Sequence, residues 1–145
     1  MNIPPLLISL IKHFEGLRLK AYRCPAGVWA IGYGHTGSDV YVGMIISQHQ
    51  AETILYKDAT KCLNQVFKAS PILKSASNNR ISAFGDFVFN LGIGQYRSST
   101  FKKRIDESDW QNASIECKRW VYSRGRKLKG LIARREIEAE LLLKS

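Results

Sequence analysis

The sequence predicts an α+β fold, with a small antiparallel sheet lobe beside a mostly helical lobe. Three observations carry this. A short amphipathic stretch opens the chain. A glycine-rich stretch follows, with aliphatic and aromatic residues between the glycines. Capped segments of helical period fill the remainder. Residues 1–145 read as a single domain. The sheet lobe covers about 16–46, and the helical lobe covers about 47–145 plus the N-terminal helix.

The first helix is expected over Pro4 to Phe14, with Leu7, Ile8, Ile11 and Phe14 on one face. Prolines suit its first turn, and Gly16 can supply a left-handed exit. Between residues 17 and 46, glycines at 27, 32, 34, 37 and 43 separate Leu19, Tyr22, Val28, Trp29, Ile31 and Tyr33. Short strands joined by tight turns fit that pattern, and Pro25-Ala26-Gly27 is a turn signal. Ser47-Gln48-His49-Gln50 is a capping box, so a helix should follow, turning Ile54, Leu55, Cys62, Leu63, Val66 and Phe67 inward. Asn78 can cap a helix through Ile81, Phe84, Phe87, Val88 and Leu91, ended by Gly92. Being apolar on most faces, this helix belongs at the centre. Asp109 can cap another, with Trp110, Ala113, Cys117, Trp120 and Val121 inward. A last helix from about Gly130 places Ile132, Ile137 and Leu141 to Leu143 on its apolar side.

Hydrophobic residues make up 45% of the chain, enough to build a core. Lys and Arg total 22 against 12 acids, giving +10, and Lys118 to Arg135 holds eight basic residues and no acid. Such a field attracts polyanions. No helix-turn-helix or zinc-finger pattern accompanies it, so nucleic acid is not the expected partner. The three cysteines, Cys24, Cys62 and Cys117, exclude a complete disulfide framework and form no CxxC pair. His13, His35 and His49 have no metal-ligand spacing, so no metal site is expected. The apolar run Ile3 to Ile11 is too short to span a bilayer and lacks the marks of a secretory signal. Nothing in the sequence asks for more than a monomer.

Glu15 stands at the junction of the first helix and the glycine-rich stretch. The partial negative charge of a helix C-terminus favours the protonated carboxyl that a general acid needs. A nearby Arg or Lys would favour the ionised form, and the sequence leaves that balance open.

Two runs around Glu15 resemble the phage-type lysozymes or endolysins, glycoside hydrolase family 24. They are Phe14-Glu15-Gly16-Leu17-Arg18-Leu19-Lys20-Ala21-Tyr22 and Ile31-Gly32-Tyr33-Gly34-His35-Thr36-Gly37. The later runs Phe89-Asn90-Leu91-Gly92-Ile93-Gly94, Arg119-Trp120-Val121-Tyr122 and Gly130-Leu131-Ile132-Ala133-Arg134-Arg135-Glu136 agree with it in order. The resemblance implies a lysozyme-like fold. It also implies a muramidase that cuts the β-1,4 bond between N-acetylmuramic acid and N-acetylglucosamine in bacterial peptidoglycan. The family pattern is Glu, eight residues, Asp or Cys, five residues, Thr; here these positions hold Glu15, Cys24 and Ala30. Glu15 would protonate the leaving oxygen, and the other two positions would orient or activate water on the opposite sugar face.

Two of these positions depart from the pattern. A thiol at Cys24 is mostly neutral unless Lys20, Arg23 or its surroundings favour the thiolate. The Ala30 methyl makes no hydrogen bond, so activity is expected to be reduced or abolished unless another group takes over. Ser38, Thr36 and the Cys24 thiol are candidates; an engineered substitution and a loss of catalysis also stay open. The resemblance gives His35 a structural role in the sheet lobe and places Arg134 and Arg135 behind the cleft, one against Glu15 and the other toward solvent. Tyr33 and Asn90 are candidate sugar contacts.

The reading that follows is an endolysin that accumulates in the host cytoplasm. It reaches the periplasmic cell wall when a holin permeabilises the membrane, and its basic C-terminal region meets anionic envelope components. Two alternatives stand beside it: a lytic transglycosylase using Glu15 alone, and a non-catalytic peptidoglycan-binding protein.

Overall fold

The computed structural model describes residues 2–145. The first helix, α1, spans Pro5–Glu15, and Gly16 closes it at φ +72°. A three-stranded antiparallel sheet follows in the order β1 (Arg18–Arg23), β2 (Trp29–Gly32), β3 (His35–Thr36). The register pairs Tyr22 with Ala30 and Ala30 with Thr36. The outer edge of β1 is covered by the returning loop, through Ala21 N–H to Met44 O and Ile46 N–H to Leu19 O, each 2.9 Å. An edge covered in this way offers no template for another chain.

Helix α2 (Gln48–Ala69) begins at the expected capping box. Ser47 Oγ accepts from the Gln50 N–H at 3.1 Å, and Gln50 Oε1 accepts from the Ser47 N–H at 2.8 Å. Helix α3 (Asn78–Leu91) is the central element, packed on α1, α2 and the last helix of the chain. Its cap is Ser77, one residue before the expected Asn78, because the Ser77 hydroxyl reaches the Arg80 N–H. Residues 82–88 are buried without interruption. A Cβ on Gly85 would lie 2.9 Å from a Leu7 methyl and 3.2 Å from a Leu63 methyl, so glycine lets three helices converge there.

Helices α4 (Ile93–Arg97) and α5 (Thr100–Asp106) continue the body, followed by α6 (Trp110–Cys117), which Asp109 caps as expected. A two-stranded hairpin of β4 (Tyr122–Ser123) and β5 (Arg126–Lys127) leads into α7 (Lys129–Leu142). Most of the basic stretch lies on this exposed hairpin and its flanks.

The inner face of α7 differs from expectation. Ile137 and Leu143 are exposed, while Arg134, Arg135, Glu138, Ala139 and Leu142 are buried. Three of these five carry ionisable groups, and they enter the interior because they pair with one another and with α3.

Candidate active site

Glu15 is the last residue of α1, where the chain leaves the helix for the sheet. Its Oε2 accepts a hydrogen bond from Arg134 Nη1 at 2.6 Å. The same guanidinium donates from Nε and Nη2 to the two Asp86 oxygens at 2.8 and 2.9 Å. One cation from α7 thus anchors two carboxylates, one on α3 and one at the end of α1. Arg134 is 4% exposed and Asp86 fully buried, while the Glu15 side chain keeps 22% of its surface accessible. Arg134 therefore stands behind Glu15, and the free side of the carboxyl meets solvent.

Gly34 approaches from the sheet. It adopts φ +75°, and a Cβ there would sit 2.5 Å from Glu15 Oε1. Only glycine leaves room for the carboxyl at that point. Gly34, His35 and Thr36 form one wall of a cavity of about 330 Å³, and Asp58 and Lys61 of α2 with Val88 and Phe89 of α3 face them. A larger open hollow of about 980 Å³ runs along α2 alone and includes none of the groups that touch Glu15.

Behind Arg134 lies a second buried pair. Arg135 Nη2 donates to Glu138 Oε2 at 2.9 Å and to Asn90 Oδ1 at 2.8 Å. Its Nε lies 2.7 Å from Glu138 Oε1 but is not aligned for a hydrogen bond. Burial, then the neighbouring Asp86 carboxylate, pushes the Glu138 carboxyl well above its ordinary range. Burial also works against an ionised Asp86, but hydrogen bonds from Glu138 and Arg134 outweigh it and hold Asp86 low.

His35 ties the sheet to α2. Its Nδ1 lies 2.6 Å from Asp58 Oδ2, and its Nε2 lies 3.1 Å from both Asp39 oxygens. Burial lowers the imidazole, but the hydrogen bonds and charges of Asp58 and Asp39 outweigh it and raise the group above its usual value. Both nitrogens are occupied, which is the geometry of a structural tie.

The remaining expected residues divide. Ala30 is 1% exposed, between Tyr22 and Thr36 on the middle strand. Cys24 is half-buried in the β1–β2 turn, where its N–H bonds to Val28 O at 2.9 Å. Tyr33 is 7% exposed in the turn after β2, its hydroxyl donates to Glu52 Oε1 at 3.4 Å, and the Lys12 ammonium lies over its ring. Asn90 is half-buried with Oδ1 taken by Arg135. Arg135 is fully buried and does not face solvent, because Glu138, Asn90 and the Trp120 carbonyl surround it. Sequence reasoning missed Asp86, the second acceptor of Arg134. A lone acid within the apolar central helix was the signal that could have found it.

Residues 12–138 match the family described as Phage lysozyme. The chain is 39% identical over 148 residues to an endolysin of Acyrthosiphon pisum secondary endosymbiont phage 1, covering 97% of each protein. An endolysin from Escherichia coli O157:H7 phage FAHEc1 superposes with a TM-score of 0.86 at 33% identity, covering 99% of this chain and 94% of that one. The muramidase domain of SpmX from Asticaccaulis excentricus superposes with a TM-score of 0.88 at 30% identity, covering 99% of both chains. The helical body and the small sheet accord with these likenesses, and the chain belongs to the phage lysozyme family, the glycoside hydrolases that act on peptidoglycan.

Proposed function

We propose that this chain hydrolyses the β-1,4 bond between N-acetylmuramic acid and N-acetylglucosamine, with Glu15 as general acid. The observation that carries this is the placement of Glu15, anchored by Arg134 at 2.6 Å, partly exposed, and resting against Gly34, which lines the cavity. Glu15 gives its proton to the leaving glycosidic oxygen while water attacks the anomeric carbon from the opposite face. The cleft between the sheet and the helices would hold the glycan strand within one domain. The amide nitrogen of Asn90 and the Cys24 thiol are candidate contacts at its rim, and His35, Arg134 and Arg135 act as supports.

The protein is proposed to work as a monomer on the periplasmic wall. Among the described residues, no helix is long and apolar enough to cross a membrane. Holin-dependent access from the host cytoplasm is part of this proposal. The exposed basic hairpin, with Arg124, Arg126 and Lys127, would meet anionic envelope components.

A lytic transglycosylase is the second reading, favoured by one observation: Ala30 offers nothing to hold water. The test is Glu15→Gln on purified peptidoglycan. Catalysis through Glu15 requires that product release fall by about 10²–10⁴-fold while the fold persists. Unchanged release removes Glu15 from the mechanism.

A further inference from the structure

With Glu15 as the acid proposed above, hydrolysis needs a group that holds water on the other face of the sugar. The methyl of Ala30 cannot do so. Residues paired across an antiparallel sheet project from the same face. Tyr22, Ala30 and Thr36 are paired in one row across β1, β2 and β3. The alternate residues Ile31 and His35 form the other face, where Ile31 is buried and His35 bonds to Asp58 of α2. The row of Tyr22 projects from the opposite face of the sheet.

We propose that the Thr36 hydroxyl orients the attacking water in place of the side chain missing at position 30. Thr36 is exposed, directly opposite Ala30, and lines the same cavity as Gly34, against which the Glu15 carboxyl rests. Side chains paired in this way lie roughly 4.5–5.5 Å apart at Cβ, so Thr36 carries the exposed hydroxyl next to position 30. The other candidates are worse placed. Ser38 lies beyond β3, after Gly37. Cys24 lies in the turn past the last β1–β2 pair, Arg23 with Trp29. The Tyr22 ring is engaged by Arg18, 4.6 Å from its centroid.

In this step the water oxygen bonds to the anomeric carbon. The bond from that carbon to the glycosidic oxygen breaks, and its electron pair takes the Glu15 proton. The proton released by the water passes to solvent, which later returns one to Glu15. Thr36 accepts a hydrogen bond from the water and keeps its own proton.

The experiment measures kcat and KM on purified peptidoglycan for the full chain and its variants. Val suits a strand and fits an exposed edge position, so Thr36→Val should fold. It should lower kcat by about 10²-fold with little change in KM. Thr36→Ser should recover most of that loss. Ala30→Thr should restore turnover to Thr36→Val, because a hydroxyl returns to the same row; Ala30→Ser serves if the buried site rejects a β-branched residue. Retention of parent kcat by Thr36→Val overturns the role of Thr36. So does a parent chain that is silent until Ala30→Thr is made, although that result leaves Glu15 as the acid. Full turnover in Glu15→Gln overturns the reading of Glu15 itself.

Discussion

The Glu15 carboxylate accepts a hydrogen bond of 2.6 Å from Arg134 across 119 residues of sequence, and Arg134 reaches it only because Asp86 holds the other side of the guanidinium. The arrangement fixes the carboxyl in direction while leaving its outer oxygen, beside Gly34, free for a sugar. Three distant segments therefore have to pack correctly before the acid is in place.

Arg134→Met should destabilise the fold by roughly 3–5 kcal/mol, because it leaves the buried Asp86 charge without its partner. Asp86→Asn in the same chain should return part of that loss, a coupling visible as non-additivity in denaturant unfolding. Activity should not return with stability, since Glu15 would still lack its anchor.

Gly34→Ala should harm turnover more than folding. The added Cβ would meet Glu15 Oε1 at 2.5 Å and Cδ at 3.1 Å, at a φ of +75°. The backbone cost is about 1 kcal/mol, whereas displacing a catalytic carboxyl by an ångström costs about 10²-fold in rate. Parallel measurements of melting temperature and kcat separate the two effects.

The His35 ties should make stability fall as pH rises. The folded protein holds His35 above its ordinary value of about 6.5, so protonation binds more tightly in the folded state. The resulting stabilisation is complete below that ordinary value and is lost as pH climbs through the raised one. Asp58→Asn should flatten the part of the melting-temperature profile that falls as pH rises above about 6.5.

Replacing Arg126 and Lys127 with Gln should weaken association with anionic wall preparations and reduce its dependence on salt. Both side chains are exposed on the β4–β5 hairpin, where mobile ions screen them. Turnover on short soluble glycan fragments should be unaffected, which distinguishes surface attraction from cleft chemistry.

Much of this architecture is legible in the sequence because its signals are local. The Ser47–Gln50 box, the glycine after Glu15 and the Asp109 cap each act within a few residues, and each appears where the sequence places it. The inner face of α7 is not legible in that way. Its buried residues include Arg134, Arg135 and Glu138, and their partners Asp86 and Asn90 lie 48 and 45 residues away. A hydrophobic period cannot register charges that are buried because they are paired. The surroundings of Tyr33 are illegible for a related reason: it lies in the turn after β2, and its neighbours Lys12 and Glu52 come from α1 and α2.

The most direct measurement is mass spectrometry of purified peptidoglycan digested by the full chain and by Glu15→Gln. A Glu15-driven hydrolase releases muropeptides with reducing ends from the first and almost none from the second. Anhydro-muramic ends, or equal release by both, would contradict hydrolysis by Glu15 and an oriented water.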